Sequence, residues 1–515
     1  MKVTILTEGS SEVGFGHITR CASLYEAFEE RGITPEFIIN GDNTIEELLG
    51  NKKYKIFNWF ERENETLDLI NGVEVVIVDS YLANYKFYKK VSELVKFPVY
   101  VDDFKRLDYP VGIVINGAIH AEDLGYPERE GTTHLLGIKY CPLKKEFWDV
   151  PKKIIKENIE SIMVTFGGND HANMTLQILK LLVAHYPDIS KKIIVGRGFT
   201  NIGQIESVAD NKTEIIFCPG AEEMKKVMIE SDVCISAAGQ TLYELARIGI
   251  PTIAIATADN QLNNIIGWQK EGFIEYAGSF RERETLDNIQ RSIKILENKD
   301  KRVKKAKIGI KPVDGMGSKR IVEVILKNHS NYFKNENMQN YLKTNIKVNG
   351  NQLINFINLT NDEKEMLRNW RNHESVRVWM YQEHIISPEE HNAYLKQLKE
   401  NNNTFCWILR NMNSENIGVI SINRVDFVNK NAYLGIYLNP DHKAPRAGRL
   451  LNDSLKQVAF KIINLHTLKL EVLSNNTRAL KFYKKLGFLE EGRLKEFVYK
   501  NGKWHDVVIM GITNR

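Results

Sequence analysis

The sequence predicts an α/β protein in three parts: two successive lobes of buried parallel strands alternating with helices, then a smaller α/β domain with its own order of elements. Three observations carry this. The chain has 515 residues, too many for one compact core, and 43% of them are hydrophobic, enough for several. Short, wholly apolar runs recur through residues 1–330, as expected of strands buried on both faces. A polar, Asn- and Lys-rich stretch at 331–350 then separates these lobes from a segment with a different grammar.

In the first lobe, 1–155, the runs at 3–6, 37–39, 75–78, 99–101 and 113–115 read as parallel strands. Between the first two, Ile18, Cys21, Ala22, Tyr25 and Phe28 share one face at helical spacing, and Gly32 ends that helix. A charged connector near 151–158 precedes a second lobe, 156–330, where the runs restart at 162–166, 193–195, 215–217, 233–235 and 252–255. Two such series predict two Rossmann-like lobes facing each other across a cleft. Residues 331–350 are the linker candidate. In the last domain, 351–515, two helical stretches lead to strands at 404–409, 417–422 and 432–438, then a helix, a strand and a helix.

Composition narrows the function. Lys and Arg total 70 against 65 Asp and Glu, a net charge of +5 spread along the chain, which suits small anionic ligands and gives no support for a nucleic-acid surface. Five scattered cysteines without a CxxC pair predict reduced thiols in a cytoplasmic protein, neither a disulfide frame nor a zinc site. The amino terminus reads as a first strand, not a signal peptide, and no apolar run is long enough to span a bilayer. The pattern leaves a homodimer open.

The first strand runs into Gly9-Ser-Ser-Glu-Val-Gly14-Phe-Gly16-His17-Ile-Thr-Arg20. Strand, glycine loop and helix start together form an anion-binding geometry, because free N–H groups and the helix dipole converge there. Gly14 and Gly16 permit a tight turn beside a ligand. His17 falls in the first helical turn at the carboxyl edge of the sheet, where an imidazole can take a proton from water. Taken alone, the string fits an ordinary βα turn with His17 as a surface cap equally well. The second lobe repeats the design at Phe166-Gly167-Gly168-Asn169-Asp170 and at Ser236-Ala-Ala-Gly239-Gln-Thr-Leu-Tyr-Glu244, with Glu244 placed to accept ribose hydroxyls or to be a solvated helix residue. Asp79, closing the 75–78 run, is a candidate for sugar contacts, and a strand-end cap fits it as well. Asp102-Asp103 form no convincing metal motif, and no metal is predicted.

Together, Gly14-x-Gly16-His17-x-x-Arg20, Gly167-Gly168-x-Asp170, Gly239 with Glu244, and Asn260-Gln261 resemble the UDP-sugar hydrolases of pseudaminic acid biosynthesis, relatives of the two-lobed GT-B glycosyltransferases. The resemblance covers residues 1 to roughly 328. It implies that His17 is the general base for water attacking the anomeric carbon, with UDP leaving and configuration inverting. It also implies substrate contacts from the glycine loops and from Arg20, Asp170, Glu244, Asn260 and Gln261.

Near the carboxyl end, Asn476-Thr-Arg-Ala479-Leu-Lys-Phe-Tyr483-Lys-Lys-Leu-Gly487-Phe488 resembles the closing motif of GCN5-related N-acetyltransferases (GNAT). That resemblance implies acetyl-CoA as co-substrate, Tyr483 as the acid for the departing CoA thiolate, and Asn476 as a cofactor contact. It also implies that the loop from His442 through Arg446, Gly448 and Arg449 binds the pyrophosphate, and that the strand around Leu438 meets the pantetheine arm. The sequence departs from the family at Arg446, where a loop glycine is usual. The two resemblances point to a bifunctional enzyme that acetylates the 4-amine of a UDP-4-amino-4,6-dideoxy-N-acetyl-altrosamine and then hydrolyses UDP from the product. The alternative is a GT-B glycosyltransferase fused to a protein N-terminal acetyltransferase.

Overall fold

A computed structural model describes residues 1–10, 14–441 and 445–514. The chain divides into two compact units, Met1–His329 and Ser330–Arg515.

The first unit holds two parallel sheets. One is built from β1 (Val3–Gly9), β2 (Glu36–Gly41), β3 (Tyr54–Ile56), β4 (Val75–Asp79), β5 (Phe97–Val101), β6 (Gly112–Asn116) and β7 (Thr132–Leu136). The other comprises β8 (Ser161–Thr165), β9 (Ser190–Val195), β10 (Thr213–Phe217), β11 (Val233–Ala237), β12 (Thr252–Ala256) and β13 (Ile274–Ser279). The Val- and Ile-rich runs explain which strands are central. Every residue of β1, β4, β5 and β6 is buried, whereas the edge strands β3 and β7 alternate with solvent. Those edges, and β13 with its Glu275 and Gly278, lie outside the apolar runs because an edge strand needs only one buried face.

Strand order places the chemistry. The first sheet runs β3-β2-β1-β4-β5-β6-β7 and the second β10-β9-β8-β11-β12-β13. Each order reverses once, at β1/β4 and at β8/β11, and a crevice opens beyond the carboxyl ends of the strands at such a point. The loops with His17 and Asp79 leave β1 and β4; those with Gly168 and Gly239 leave β8 and β11.

The second unit carries one mostly antiparallel sheet, β14 (Ile346–Val348), β15 (Asn351–Asn355), β16 (Phe405–Arg410), β17 (Asn416–Asp426), β18 (Asn431–Leu438), β19 (Thr467–Leu473), β20 (Leu489–Lys500) and β21 (Lys503–Thr513). Its order is β14-β15-β16-β17-β18-β19-β21-β20, and Trp407, Leu451, Leu468 and Met510 are among its core residues. The 331–350 stretch, read as a linker, is ordered structure instead. The helix Gly317–Leu342 runs through it and β14 follows. Its first turns carry a buried stripe (Ile321, Val322, Ile325) and its end buries Leu342 with Met338 beside it, but the polar turns between gave no amphipathic signal.

No helix among the described residues is long and apolar enough to cross a membrane. All five cysteines are free thiols.

Candidate active sites

Gly14 opens the first site: its φ of +90° suits a residue without Cβ, and its N–H returns to the carbonyl of Ser10 at 2.8 Å. Residues 11–13 of that glycine loop lie outside the described residues. The helix Gly16–Glu29 then begins, and its first turns bury His17 and Arg20. His17 Nδ1 lies 2.6 Å from Asp79 Oδ1. Arg20 Nη2 stands 3.0 Å from the same nitrogen, but the shorter contact is to the carboxylate, which only accepts; this assigns the hydrogen to Nδ1 and makes Nε2 the acceptor of a neutral imidazole. Arg20 donates to both Asp79 oxygens at 2.5 and 2.6 Å and to Asp103 Oδ1 at 2.5 Å. Asp103 also takes the hydroxyl of Tyr81, whose ring stands edge-on to His17 with centroids 4.4 Å apart.

Burial works to raise the Asp79 carboxyl, but the charge of Arg20 and the hydrogen bonds from Arg20 and His17 hold it well below the usual range. Asp103 is held low against burial chiefly by Arg20. Asp79 is therefore a buried carboxylate that orients an imidazole. It is 0% exposed, and both its oxygens are engaged by His17 and Arg20. Arg20, 9% exposed, is likewise spent on two carboxylates rather than on a ligand. Beneath them, Glu8 at the end of β1 accepts from the Ser80 hydroxyl (2.5 Å) and the Tyr81 N–H (2.7 Å), fixing the turn after β4.

In the second lobe, Gly168 faces open space, and the loop after β9 closes on it, with Gly198 N–H donating to its carbonyl at 2.9 Å. Asp170 accepts from the N–H groups of Met174 (3.0 Å) and Thr175 (2.7 Å). These are the first two N–H groups of the helix Met174–His185, whose N-cap position is Asn173. Gly239 precedes the helix Thr241–Ile248, whose first turn carries Glu244. Glu244 is no solvated residue: burial raises its carboxyl, and Lys144 stands 3.6 Å away. Gln261 is turned back onto Thr257, with its Oε1 accepting from the Thr257 N–H at 3.0 Å, while Asn260 is exposed. The two lobes meet near these loops. Tyr243 donates its hydroxyl to Asn264 (2.7 Å) and receives the Ile119 N–H (3.1 Å), and the Gln240 amide reaches the Cys141 thiol, which burial pushes up to about 12.

In the second unit, the parallel ladder between β18 and β19 joins only Asn431–Tyr433 to Thr467–Lys469. Beyond it the strands part, leaving the β18 backbone to Leu438 without a β19 partner in that ladder. The helix Ala447–Lys456 starts nearby. Residues 442–444 of the expected pyrophosphate loop lie outside the described residues. Arg446, in the place of a glycine, has φ +64°, the left-handed conformation that glycine favours. Gly448 packs against Phe482: a Cβ there would meet the ring at 3.3 Å. Arg449 pairs with Asp453 at 3.7 Å on the exposed face. Asn476 Oδ1 accepts the Ala479 N–H at 3.0 Å and caps the helix Thr477–Lys485, so that oxygen is committed to the fold. Tyr483 is buried between Phe482 and Phe488, which pushes its phenol well up, and its hydroxyl has no hydrogen-bond partner among the described residues. Arg371 Nη1 and Arg377 Nε are buried with no partner among the described residues.

The profile of the acetyltransferase (GNAT) domain family matches residues 358–509. Over 151 residues the chain is 34% identical to acetyltransferase PseH of Campylobacter jejuni, covering 29% of this chain and 90% of that protein. The chain belongs, through its second unit, to the GNAT acetyltransferases. The splayed strands and the Tyr483 helix just described lie in this GNAT domain. The first unit has a different relative. Over 295 residues the chain is 24% identical to the pseudaminic acid cytidylyltransferase and UDP-2,4-diacetamido-2,4,6-trideoxy-β-L-altropyranose hydrolase of Helicobacter pylori, covering 56% of this chain and 51% of that protein. An uncharacterized protein of Methanocaldococcus jannaschii matches at 23% identity along 97% of this chain and 99% of its own length. That similarity runs across both units of the chain.

Proposed function

We propose that the chain is a bifunctional enzyme of pseudaminic acid biosynthesis. Its GNAT domain transfers acetyl from acetyl-CoA to the 4-amine of a UDP-4-amino sugar, and its first unit then hydrolyses UDP from the 2,4-diacetamido product. The observation that carries the reading is the His17–Asp79 pair at the β1/β4 reversal, which leaves an imidazole nitrogen free to accept a proton. His17 Nε2 takes a proton from water as the water oxygen bonds to the anomeric carbon. The C1–O bond breaks on the opposite face, UDP leaves with the electron pair, and the anomeric configuration inverts. The two parallel lobes are read as a GT-B-like pair, with Gly168, Gly239 and Glu244 on the nucleotide side.

In the GNAT domain, the parted β18 and β19 strands support a pantetheine arm lying against the backbone near Leu438. The start of the helix Ala447–Lys456, with Gly448, supports a pyrophosphate there. The uncharged 4-amine attacks the thioester carbonyl, the C–S bond breaks, and the CoA sulfur leaves with the bonding electrons and takes the Tyr483 proton. The nitrogen, now bonded to the acetyl carbon, gives its extra proton to water, and the Tyr483 phenolate regains a proton from solvent. A phenol raised by burial keeps that proton across neutral pH until the thiolate develops. The unpartnered N–H groups of Arg371 and Arg377 suit an anionic group of the acceptor.

His17→Asn tests the assignment. UDP release should fall by on the order of a hundredfold or more, the usual contribution of a general base, while acetyl-CoA consumption stays at the wild-type rate. UDP release within about threefold of wild type would remove His17 from the mechanism.

A further inference from the structure

One imidazole near the first site has no task in the mechanism above. β6 ends at Asn116, and His120 closes the loop that follows, on the same sheet edge as the loops after β1, β4 and β5. That loop is held from both sides. Asn116 Oδ1 accepts the Ala118 N–H at 3.0 Å, and Ile119 gives its N–H to the Tyr243 hydroxyl of the second lobe at 3.1 Å. Gly267 of that lobe comes so close that a Cβ there would stand 2.5 Å from an Ile119 methyl. Tyr243 belongs to the helix that Gly239 precedes, so His120 lies where the first lobe meets the nucleotide side of the second.

The ring also lies in the field of the first site. Burial lowers the His120 imidazole, against the backbone and then the carboxylate of Asp103, and so keeps it neutral at neutral pH. Burial raises the Cys141 thiol and the Tyr243 phenol at this meeting of the lobes, and the Asp103 charge adds to both. Asp103 is itself matched by Arg20, so an anion arriving there meets no uncompensated carboxylate. A neutral imidazole carries one N–H and one acceptor nitrogen. Both His120 nitrogens are cut off from water, and neither makes a hydrogen bond among the described residues. Burying an orphaned polar atom is costly, and a ligand oxygen that takes up the N–H removes that cost.

We infer that His120 is a second catalytic residue of the hydrolytic site, donating its N–H to the oxygen that leaves the anomeric carbon with the β-phosphate of the nucleotide. As the C1–O bond breaks, its electron pair stays on that oxygen. His120 shares its hydrogen without transferring it, while the proton of the attacking water goes to His17. The two imidazoles then serve opposite faces of the anomeric carbon, His17 the water and His120 the departing diphosphate. This rests on the hydrolase reading above and adds the residue that receives the leaving group.

The test measures calorimetric binding of UDP and of UMP, which lacks the β-phosphate, to the full chain, beside UDP release from UDP-2,4-diacetamido-2,4,6-trideoxy-altropyranose. His120→Ala should weaken UDP binding by roughly ten- to a hundredfold, as for a lost hydrogen bond to a charged group, and leave UMP binding within about twofold. It should lower kcat/KM for UDP release by at least the same factor. His120→Gln, which keeps an N–H on a long side chain, should recover most of both. UDP binding at wild-type strength in His120→Ala overturns the contact and leaves the hydrolase standing. An equal loss of UDP and UMP binding overturns it too, and makes the residue structural. Wild-type protein that binds UDP yet releases none from the sugar overturns the hydrolase reading, and the catalytic role of His120 with it.

Discussion

The two sites of this chain are built in opposite ways. At the first, the group proposed to move a proton is locked: His17 is held by Asp79, Asp79 by Arg20, and Arg20 by Asp103, joining one helix to the ends of two strands. At the second, Tyr483 is fixed only by packing between two rings, and its hydroxyl is left unpartnered. The chemistry explains the difference. A base that must orient water needs a fixed tautomer and direction, whereas an acid for a thiolate needs its proton kept until the sulfur arrives beside it. The first site should therefore be fragile to changes that never touch substrate, and the second should not.

Asp79→Asn is the largest expected break. The amide cannot replace the charge facing Arg20, and removing one member of a buried ion network costs about 3–5 kcal/mol. UDP release should fall at least as far as in His17→Asn, on the order of a hundredfold or more, with a lowered denaturation midpoint for the first unit. Acetyl transfer should be unaffected. The carboxylates add a pH signature. Asp79 and Asp103 are held below their ordinary values, so their contribution to stability is complete above about pH 4 and is lost as the pH falls towards their folded values. Denaturant midpoints measured from pH 7 to 3 should drop more steeply in wild type than in Asp79→Asn.

Tyr483→Phe is the counterpart. It keeps the ring between Phe482 and Phe488 and removes only the proton. Acetyl transfer should fall by roughly ten- to a thousandfold, with little change in stability or acetyl-CoA affinity, and UDP release from a supplied diacetamido sugar should be untouched. Wild-type acetyl transfer across neutral pH would assign the proton to another group. The smallest effect is Arg446→Gly. A left-handed residue other than glycine costs about 1–2 kcal/mol, and glycine's greater unfolded freedom returns roughly 0.5–1 of it. A gain of about 0.5 kcal/mol in the melting of the GNAT domain is expected, and a loss would show that the Arg446 side chain stabilises the loop.

What the sequence made legible follows the same division. Central strands announced themselves as uninterrupted apolar runs, and the glycine loops with His17 and Tyr483 stand in contiguous strings. The Asp79–His17–Arg20–Asp103 network was not legible, because the two aspartates lie far along the chain from the His17–Arg20 pair and meet it only once β1, β4 and β5 are side by side. The signal available was positional: an Asp closing a strand next to the order reversal. Asn476 sits just before a helix and caps it, while Asp170, four residues ahead of Met174, reaches forward to the first N–H groups of its helix. Glu8 and Tyr81 gave no pattern at all, since a buried carboxylate inside a strand is visible only from its partners.

The most direct measurement is mass analysis of the products formed by the wild-type chain from a UDP-4-amino-4,6-dideoxy-N-acetyl-altrosamine, with and without acetyl-CoA. With acetyl-CoA, free 2,4-diacetamido sugar and equimolar UDP should accumulate after a transient acetylated nucleotide sugar. Without it, the amino sugar should stay attached to UDP. Release of UDP at the same rate without acetyl-CoA, or appearance of the sugar on an added acceptor in place of free sugar, would contradict the account.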